Sequence, residues 1–201
     1  MVITENQNLG PCLPHRTPYE PLVAASVYSA PSVLVFTGLP GSGKTSIARM
    51  VAKALGAVHF NADFVRATIN KHLGFSKADR VKQAADLGTL ARVVAEAGKI
   101  AVVDFICPIF DTRWEFNNAL GAEHRDRAVW YEVSRDSRDR HYPDTEALYL
   151  SLAEEVSAGN SFVKYTYFKS LTNKEEPVHE LANMALEYYR EVVRSSDLTN
   201  L

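Results

Sequence analysis

Gly38-Leu39-Pro40-Gly41-Ser42-Gly43-Lys44-Thr45 meets every fixed position of the pattern G-x-x-x-x-G-K-[ST]. The apolar run Val33-Leu34-Val35-Phe36 precedes it, and Ile47, Ala48, Met50, Val51, Ala54 and Leu55 follow at helical spacing. A buried strand, a glycine loop and a helix in that order predict a phosphate-binding loop. Such a loop turns backbone N–H groups toward phosphates, and the positive end of the helix dipole adds to them. Lys44 is expected at the β- and γ-phosphates and the Thr45 hydroxyl on Mg²⁺. The expected nucleotide contacts are therefore Gly38, Leu39, Pro40, Gly41, Ser42, Gly43, Lys44, Thr45 and Ser46.

Working outward, strand-like runs lie at Val33 to Thr37, Ala57 to Phe60, Ile100 to Phe105 and Ala128 to Val133, with a fifth at Ser161 to Phe168. Helical periodicity falls between them, at Thr45 to Leu55, Asp63 to His72, Lys77 to Ala97, Asp111 to Leu120 and Thr145 to Ala158. A last helix is expected from Pro177, with Val178, Leu181, Ala185, Tyr188 and Val192 as its apolar stripe. Alternation of this kind predicts an α/β fold of three layers, a parallel five-stranded sheet with helices on both faces. Five of the nine prolines fall in the first 31 residues, so residues 1–31 are read as an extended arm and 32–201 as the P-loop domain.

The 201 residues are 46% hydrophobic, which suits one domain with a sizeable core. A net charge of −2 creates no global field toward nucleic acid or anionic membrane. Cys12 and Cys107 form no disulfide framework and no zinc pattern, and no leader or 18-residue apolar run occurs, so a cytoplasmic chain without membrane partners is expected. Oligomeric state is left open, a homodimer included.

In open α/β sheets the working groups collect beyond the carboxyl ends of the strands. After the second strand, Asp63 and Arg66 stand one helical turn apart on one face. The carboxylate could orient or deprotonate an attacking hydroxyl while the guanidinium holds an anion; alternatively Asp63 caps the helix and Arg66 pairs with it. After the third strand, Asp104 follows Ile100-Ala101-Val102-Val103, the position of a carboxylate that holds Mg²⁺ directly or through water, or of one bonded to loop amides. Cys107 reads as a small buried turn residue rather than a reactive thiol. Phe64, Phe75 and Phe105 lie near the expected cleft, as core or as stacking surfaces. A GTP-dependent switch is disfavoured, because Asp104 is not followed by the glycine of D-x-x-G and Thr172-Asn173-Lys174-Glu175-Glu176 lacks the Asp of N-K-x-D. A nucleotide-gated binding module without product remains compatible with the loop.

From Val33 to Phe110 the chain resembles adenylylsulfate kinases and their P-loop relatives. GLPGSGKTSIA matches the phosphate loop, NADFVR the family's D-G-D-x-x-R, LGFSKADR (Leu73 to Arg80) its L-G-F-S-x-x-D-R, and DFICP its S-F-I-S-P. The resemblance implies transfer of the γ-phosphoryl of MgATP to an alcohol. It implies Lys44, Asp63 and Arg66 as catalytic residues, with Arg66 and Arg80 holding the acceptor. Phe75, Phe105, Ile106 and Cys107 complete the acceptor pocket that it implies.

The departures concentrate on the acceptor side. Asn61 stands where the family has the first Asp of D-G-D, Ala85 and Asp86 where it has paired arginines, and Cys107 where F-I-S-P has its hydroxyl. The lid K-G-L-Y-K-K-A-R and the later F-T-G-I-D are missing between Val133 and Phe168, where Arg135, Arg138, Arg140 and His141 precede Asp144-Thr145. N-A-D, F-I-C-P and D-T are similar to a divergent branch that includes bacteriophage kinases of 5-hydroxymethyluracil in DNA. That branch implies a hydroxymethylpyrimidine in DNA as acceptor, with adenylylsulfate as the alternative, and Arg135, Arg138 and Arg140 as a lid over ATP or a contact to phosphates.

Overall fold

The computed structural model describes residues 30–135, 143–157, 165–173 and 176–198. In it β1 (Val33–Thr37), β2 (Val58–Asn61), β3 (Ala101–Asp104), β4 (Val129–Arg135) and β5 (Tyr167–Asn173) form one sheet of order β2-β3-β1-β4-β5. Every pairing is parallel. The expected three-layer α/β architecture is present.

Parallel strands send alternate side chains to opposite faces, and both faces here are covered. Leu34, Phe36, Val102, Val129, Tyr131 and Val133 meet α1 (Lys44–Leu55) and α8 (Val178–Leu198) on one face. α1 buries Ile47, Ala48, Val51 and Ala52, and α8 buries Leu181, Ala185, Tyr189 and Val192, so two amphipathic stripes close on the sheet. Val35, Val103 and Trp130 point the other way, onto α3 (Lys77–Glu96) and α4 (Phe110–Leu120), through Leu87, Ala91, Phe116 and Leu120. Burying one such large side chain contributes about 1.5–3 kcal/mol.

Two expected elements moved. The fifth strand is not Ser161 to Phe168 but Tyr167–Asn173, in register from Val129↔Tyr167 to Arg135↔Asn173; residues 161–164 lie outside the described residues. Here Tyr167 and Leu171 pack on one core and Phe168 on the other, so pairing with β4 selected the segment. The helix expected from Thr145 to Ala158 is two, α6 (Pro143–Leu148) and α7 (Leu152–Ser157), with a break at 149–151. α2 (Ala62–Thr68) is also shorter than Asp63 to His72, and α5 (Ala122–Arg125) is an added short turn of helix. The residue 1–29 arm lies outside the described residues.

Candidate active site

The phosphate loop leaves β1 at Gly38, whose φ is +142°; a Cβ there would stand 2.2 Å from the Val133 carbonyl oxygen of β4, so only glycine passes. Gly43, at φ +93°, turns the chain into α1 as its N-cap. In the first turn of α1 the Ser46 amide turns back onto the Gly43 carbonyl at 3.0 Å, which leaves the Lys44 and Thr45 amides to whatever the loop encloses. Lys44 is 9% exposed and donates to the Leu39 carbonyl at 3.3 Å. Burial holds its ammonium below the usual lysine range, against the opposing pull of Asp104 and Asp63. A buried cation with one backbone acceptor is poised for an anion.

Asp104 ends β3 and is 1% exposed. Its carboxylate accepts from Thr45 Oγ1 at 2.6 Å, from Asn61 Nδ2 at 2.9 Å and from His59 Nε2 at 2.6 Å when that nitrogen is protonated. Asn61 and Asp104 are opposite one another in the β2–β3 register. Asn61 uses its other side-chain atom as well, since its Oδ1 caps α2 by accepting from the Phe64 amide at 2.9 Å. An Asp at 61 could cap but not donate, which ties the Asn61 departure to the carboxylate beside it.

The capping role considered for Asp63 thus belongs to Asn61. Asp63 is exposed on the first turn of α2 and forms no ion pair with Arg66 among the described residues. Arg66 instead donates to the carbonyls of Leu73 and Gly74 in the turn that follows α2. Its guanidinium lies 4.8 Å from the Phe75 ring centroid and that of Arg80 lies at 5.8 Å. Burial, then the neighbouring Arg80, push Arg66 below its ordinary range, while Asp63 and Asp79 oppose this. Phe75 is 69% exposed, so two cations and a ring form an open platform. Arg80 also donates to the Phe75 carbonyl at 2.9 Å and to Thr145 Oγ1 at 3.3 Å.

One cavity of about 790 Å³ joins these parts. Pro40, Gly41, Gly43, Lys44, Thr45 and Ser46 line one end, and Asp63, Arg66, Phe75 and Arg80 the other, with Asp104, Phe105, Ile106 and Cys107 as floor. Phe105 serves the core too, its ring tilted against Phe116 with centroids 5.2 Å apart. Cys107 is buried with φ +50°, its carbonyl accepting from Arg113 at 3.0 Å. Gly38, Leu39 and Ser42 shape the loop from behind and do not line the cavity. Arg135 closes β4 away from the lining, and Arg138 and Arg140 lie outside the described residues.

Sequence reading missed His59, Gln83, Thr112 and Pro143 and left Asp144 and Thr145 out of the pocket. Gln83 is buried, accepting from Asn70 at 2.8 Å and donating to the Ala62 carbonyl at 3.0 Å, so it holds α2 to α3 at the cavity edge. Only Asp144-Thr145 carried a signal, as a D-T dipeptide after the fourth strand.

A phosphate loop, a strand-end carboxylate bonded to its threonine and an adjoining polar pocket define a P-loop kinase fold. Comparison with known proteins gives the family. A model of the family described as adenylylsulphate kinase matches residues 30–160, and the chain belongs to that family. It is 33% identical over 125 residues to the adenylyl-sulfate kinase of a Synechococcus strain, covering 53% of this chain and 71% of that one. It is 42% identical over 86 residues to the bifunctional enzyme NodQ of a Rhizobium strain, covering 40% of this chain but spanning only 13% of that relative's length. Among solved structures, the Mycobacterium tuberculosis kinase CysC in complex with AMPPNP and APS superposes with a TM-score of 0.57 at 24% identity, over 80% of this chain and 98% of that one. At that identity the likeness is one of fold.

Proposed function

We propose that this protein transfers the γ-phosphoryl group of ATP to an alcohol, and that the alcohol is a hydroxyl of adenylylsulfate. The observation that carries the reading is the single cavity in which Lys44 and the phosphate loop face Asp63, Arg66 and Arg80. Lys44 and the loop amides hold the phosphates, Arg66 and Arg80 hold the acceptor, and Phe75 stacks on its base. Asp63 takes the proton of the attacking hydroxyl; its oxygen bonds to the γ-phosphorus as the bridge to the β-phosphate breaks and ADP leaves. The adenylyl-sulfate kinases matched above support this acceptor.

Thr45 and Asp104 fit Mg²⁺. The described residues contain no cluster of three metal-ligating side chains, but Mg²⁺ bound with a triphosphate needs only one or two protein groups. Thr45 would ligate it, and Asp104, already accepting from three side chains, would hold it through water. When bound, the ion would neutralise charge on the β- and γ-phosphates.

The acceptor wall favours a second reading. Asp144 and Thr145 line its lip and offer acceptors and a hydroxyl to a neutral base edge, whereas Ala85 and Asp86, in place of the paired arginines, do not line the cavity. That suits 5-hydroxymethyluracil in DNA. Incubation with γ-labelled ATP and each acceptor decides between them. Label in adenylylsulfate supports the first reading, label in hydroxymethyluracil-containing DNA replaces it with the second, and nucleotide hydrolysis without either product defeats both.

A further inference from the structure

Glu132, on β4, is 5% exposed and does not line the cavity. Its carboxylate nonetheless accepts four hydrogen bonds: from the Tyr149 hydroxyl at 2.7 Å, Ser151 Oγ at 3.1 Å, the Leu152 amide at 2.7 Å and the Ala153 amide at 2.8 Å. Tyr149 and Ser151 belong to the break between α6 and α7, and the Leu152 and Ala153 amides open α7. A buried carboxylate with four donors is costly to remove and strict about geometry, because each donor left unmatched keeps its full desolvation cost. The strap at 149–153 is therefore fixed to the sheet at one point.

The same strap is fixed from the opposite side. Arg113 on α4 is fully buried and donates from Nη1 to the carbonyls of Cys107 and Leu150, both at 3.0 Å. The Leu150 amide donates to the Pro108 carbonyl at 2.8 Å, and Thr37 Oγ1 to the Ile106 carbonyl at 2.7 Å. Burial, then the Glu132 charge, raise the Tyr149 hydroxyl above its usual range, so it stays a donor at working pH. One turn upstream of the strap, α6 begins with Pro143, Asp144 and Thr145, which line the cavity, and Thr145 receives the Arg80 guanidinium.

We propose that Glu132 is a positioning residue for the phosphoryl acceptor: by fixing the Tyr149–Ala153 strap it sets where Thr145 meets Arg80, and acceptor affinity depends on it although it touches neither substrate. This rests on reading the Arg66, Phe75 and Arg80 end of the cavity as the acceptor site. Nucleotide affinity should be insensitive, because among the described residues the strap bonds to the loop after β3, to β4 and, through Tyr149, to Thr37 at the end of β1, and not to residues 38–46.

Glu132→Gln keeps the shape and turns one acceptor oxygen into a donor facing donors; Tyr149→Phe keeps the ring and deletes the hydroxyl that bonds Glu132 and meets Thr37, for the case in which the first variant does not fold. Kinetics with whichever acceptor the wild type labels should show acceptor KM rising about tenfold in Glu132→Gln and about threefold in Tyr149→Phe, with kcat and ATP affinity within about twofold. Unchanged acceptor KM, or acceptor KM and ATP Kd rising together, overturns the proposal. Amide hydrogen exchange supplies an arm free of turnover. Faster exchange should spread from 149–153 through 143–148 to residues 75–80 while 38–46 exchange as in the wild type; faster exchange confined to 149–153 overturns it. If the wild type labels no acceptor, the functional reading fails, and the exchange arm still decides whether Glu132 governs the Thr145–Arg80 contact.

Discussion

The two ends of the cavity are built from different materials. The nucleotide end is mostly backbone, a loop bent by glycines at positive φ around first-turn amides, with Lys44 and Thr45 added. The acceptor end is side chains brought together by four separate pieces of chain: Asp63 and Arg66 from α2, Phe75 and Arg80 around the start of α3, Cys107 after β3, and Thr145 from α6. Backbone sites are written in glycine spacing and persist through divergence, whereas side-chain sites change one residue at a time. Of the departures from the adenylylsulfate kinase pattern, Asn61 and Cys107 line the cavity as side chains of the second kind, whereas Ala85 and Asp86 do not line it, and Asp86 pairs with Lys82 along α3.

That contrast can be broken by substitution. Lys44→Ala should have the largest effect, a fall in turnover of about 10³-fold or more, because among the described residues no other side-chain cation lines the loop end to replace a buried one. Initial rates of label transfer measure it, and a loss below tenfold would place the phosphates elsewhere. Phe75→Ala should raise acceptor KM about tenfold while sparing ATP affinity, since the ring is exposed and its removal disturbs no core. An equal loss of ATP affinity would mean that the two ends are not separate sites.

Asn61→Asp probes the border between the ends. It keeps the α2 cap but removes the donor to Asp104 and sets two carboxylates side by side. Thermal unfolding in a chelator should drop by about 3–10 °C, corresponding to about 1–3 kcal/mol, with more recovery by Mg²⁺ than in the wild type. An unchanged midpoint in chelator rules out the Asn61–Asp104 bond as a structural need.

The smallest effect is in proton linkage at Lys44. Burial lowers its value from 10.5 in the free protein, so the unfolded chain binds more protons and stability rises with pH up to about 10.5. Phosphates bring charge that raises the value again. Nucleotide binding should therefore take up protons at alkaline pH below 10.5, seen as binding heats that differ between buffers of unlike ionisation enthalpy. Heats independent of buffer contradict the buried, free-state lysine.

The same division explains what was legible beforehand. β1, the loop, α1 and the Asp104 position are local patterns, and they stand where periodicity and glycine spacing put them. α8 carries its stripe on Leu181, Ala185 and Val192, with Val178 and Tyr188 packed at its edge. The helix expected over 145–158 breaks because Glu132, distant in sequence, captures the Leu152 and Ala153 amides and starts a new helix there. The strand expected at 161–168 begins at 167 because apolar alternation runs through both segments and only the register with β4 chooses between them. His59 and Gln83 gave no signal, since His59 matters through a partner 45 residues away and Gln83 through partners 13 and 21 residues away.

Asp63→Asn tests the central claim, that a carboxylate on the acceptor side takes the proton while the loop holds the nucleotide. Single-turnover transfer and ATP affinity, measured on the same preparation, should separate: transfer falling about 10²- to 10⁴-fold with ATP Kd little changed. Near-normal transfer in that variant would contradict the account.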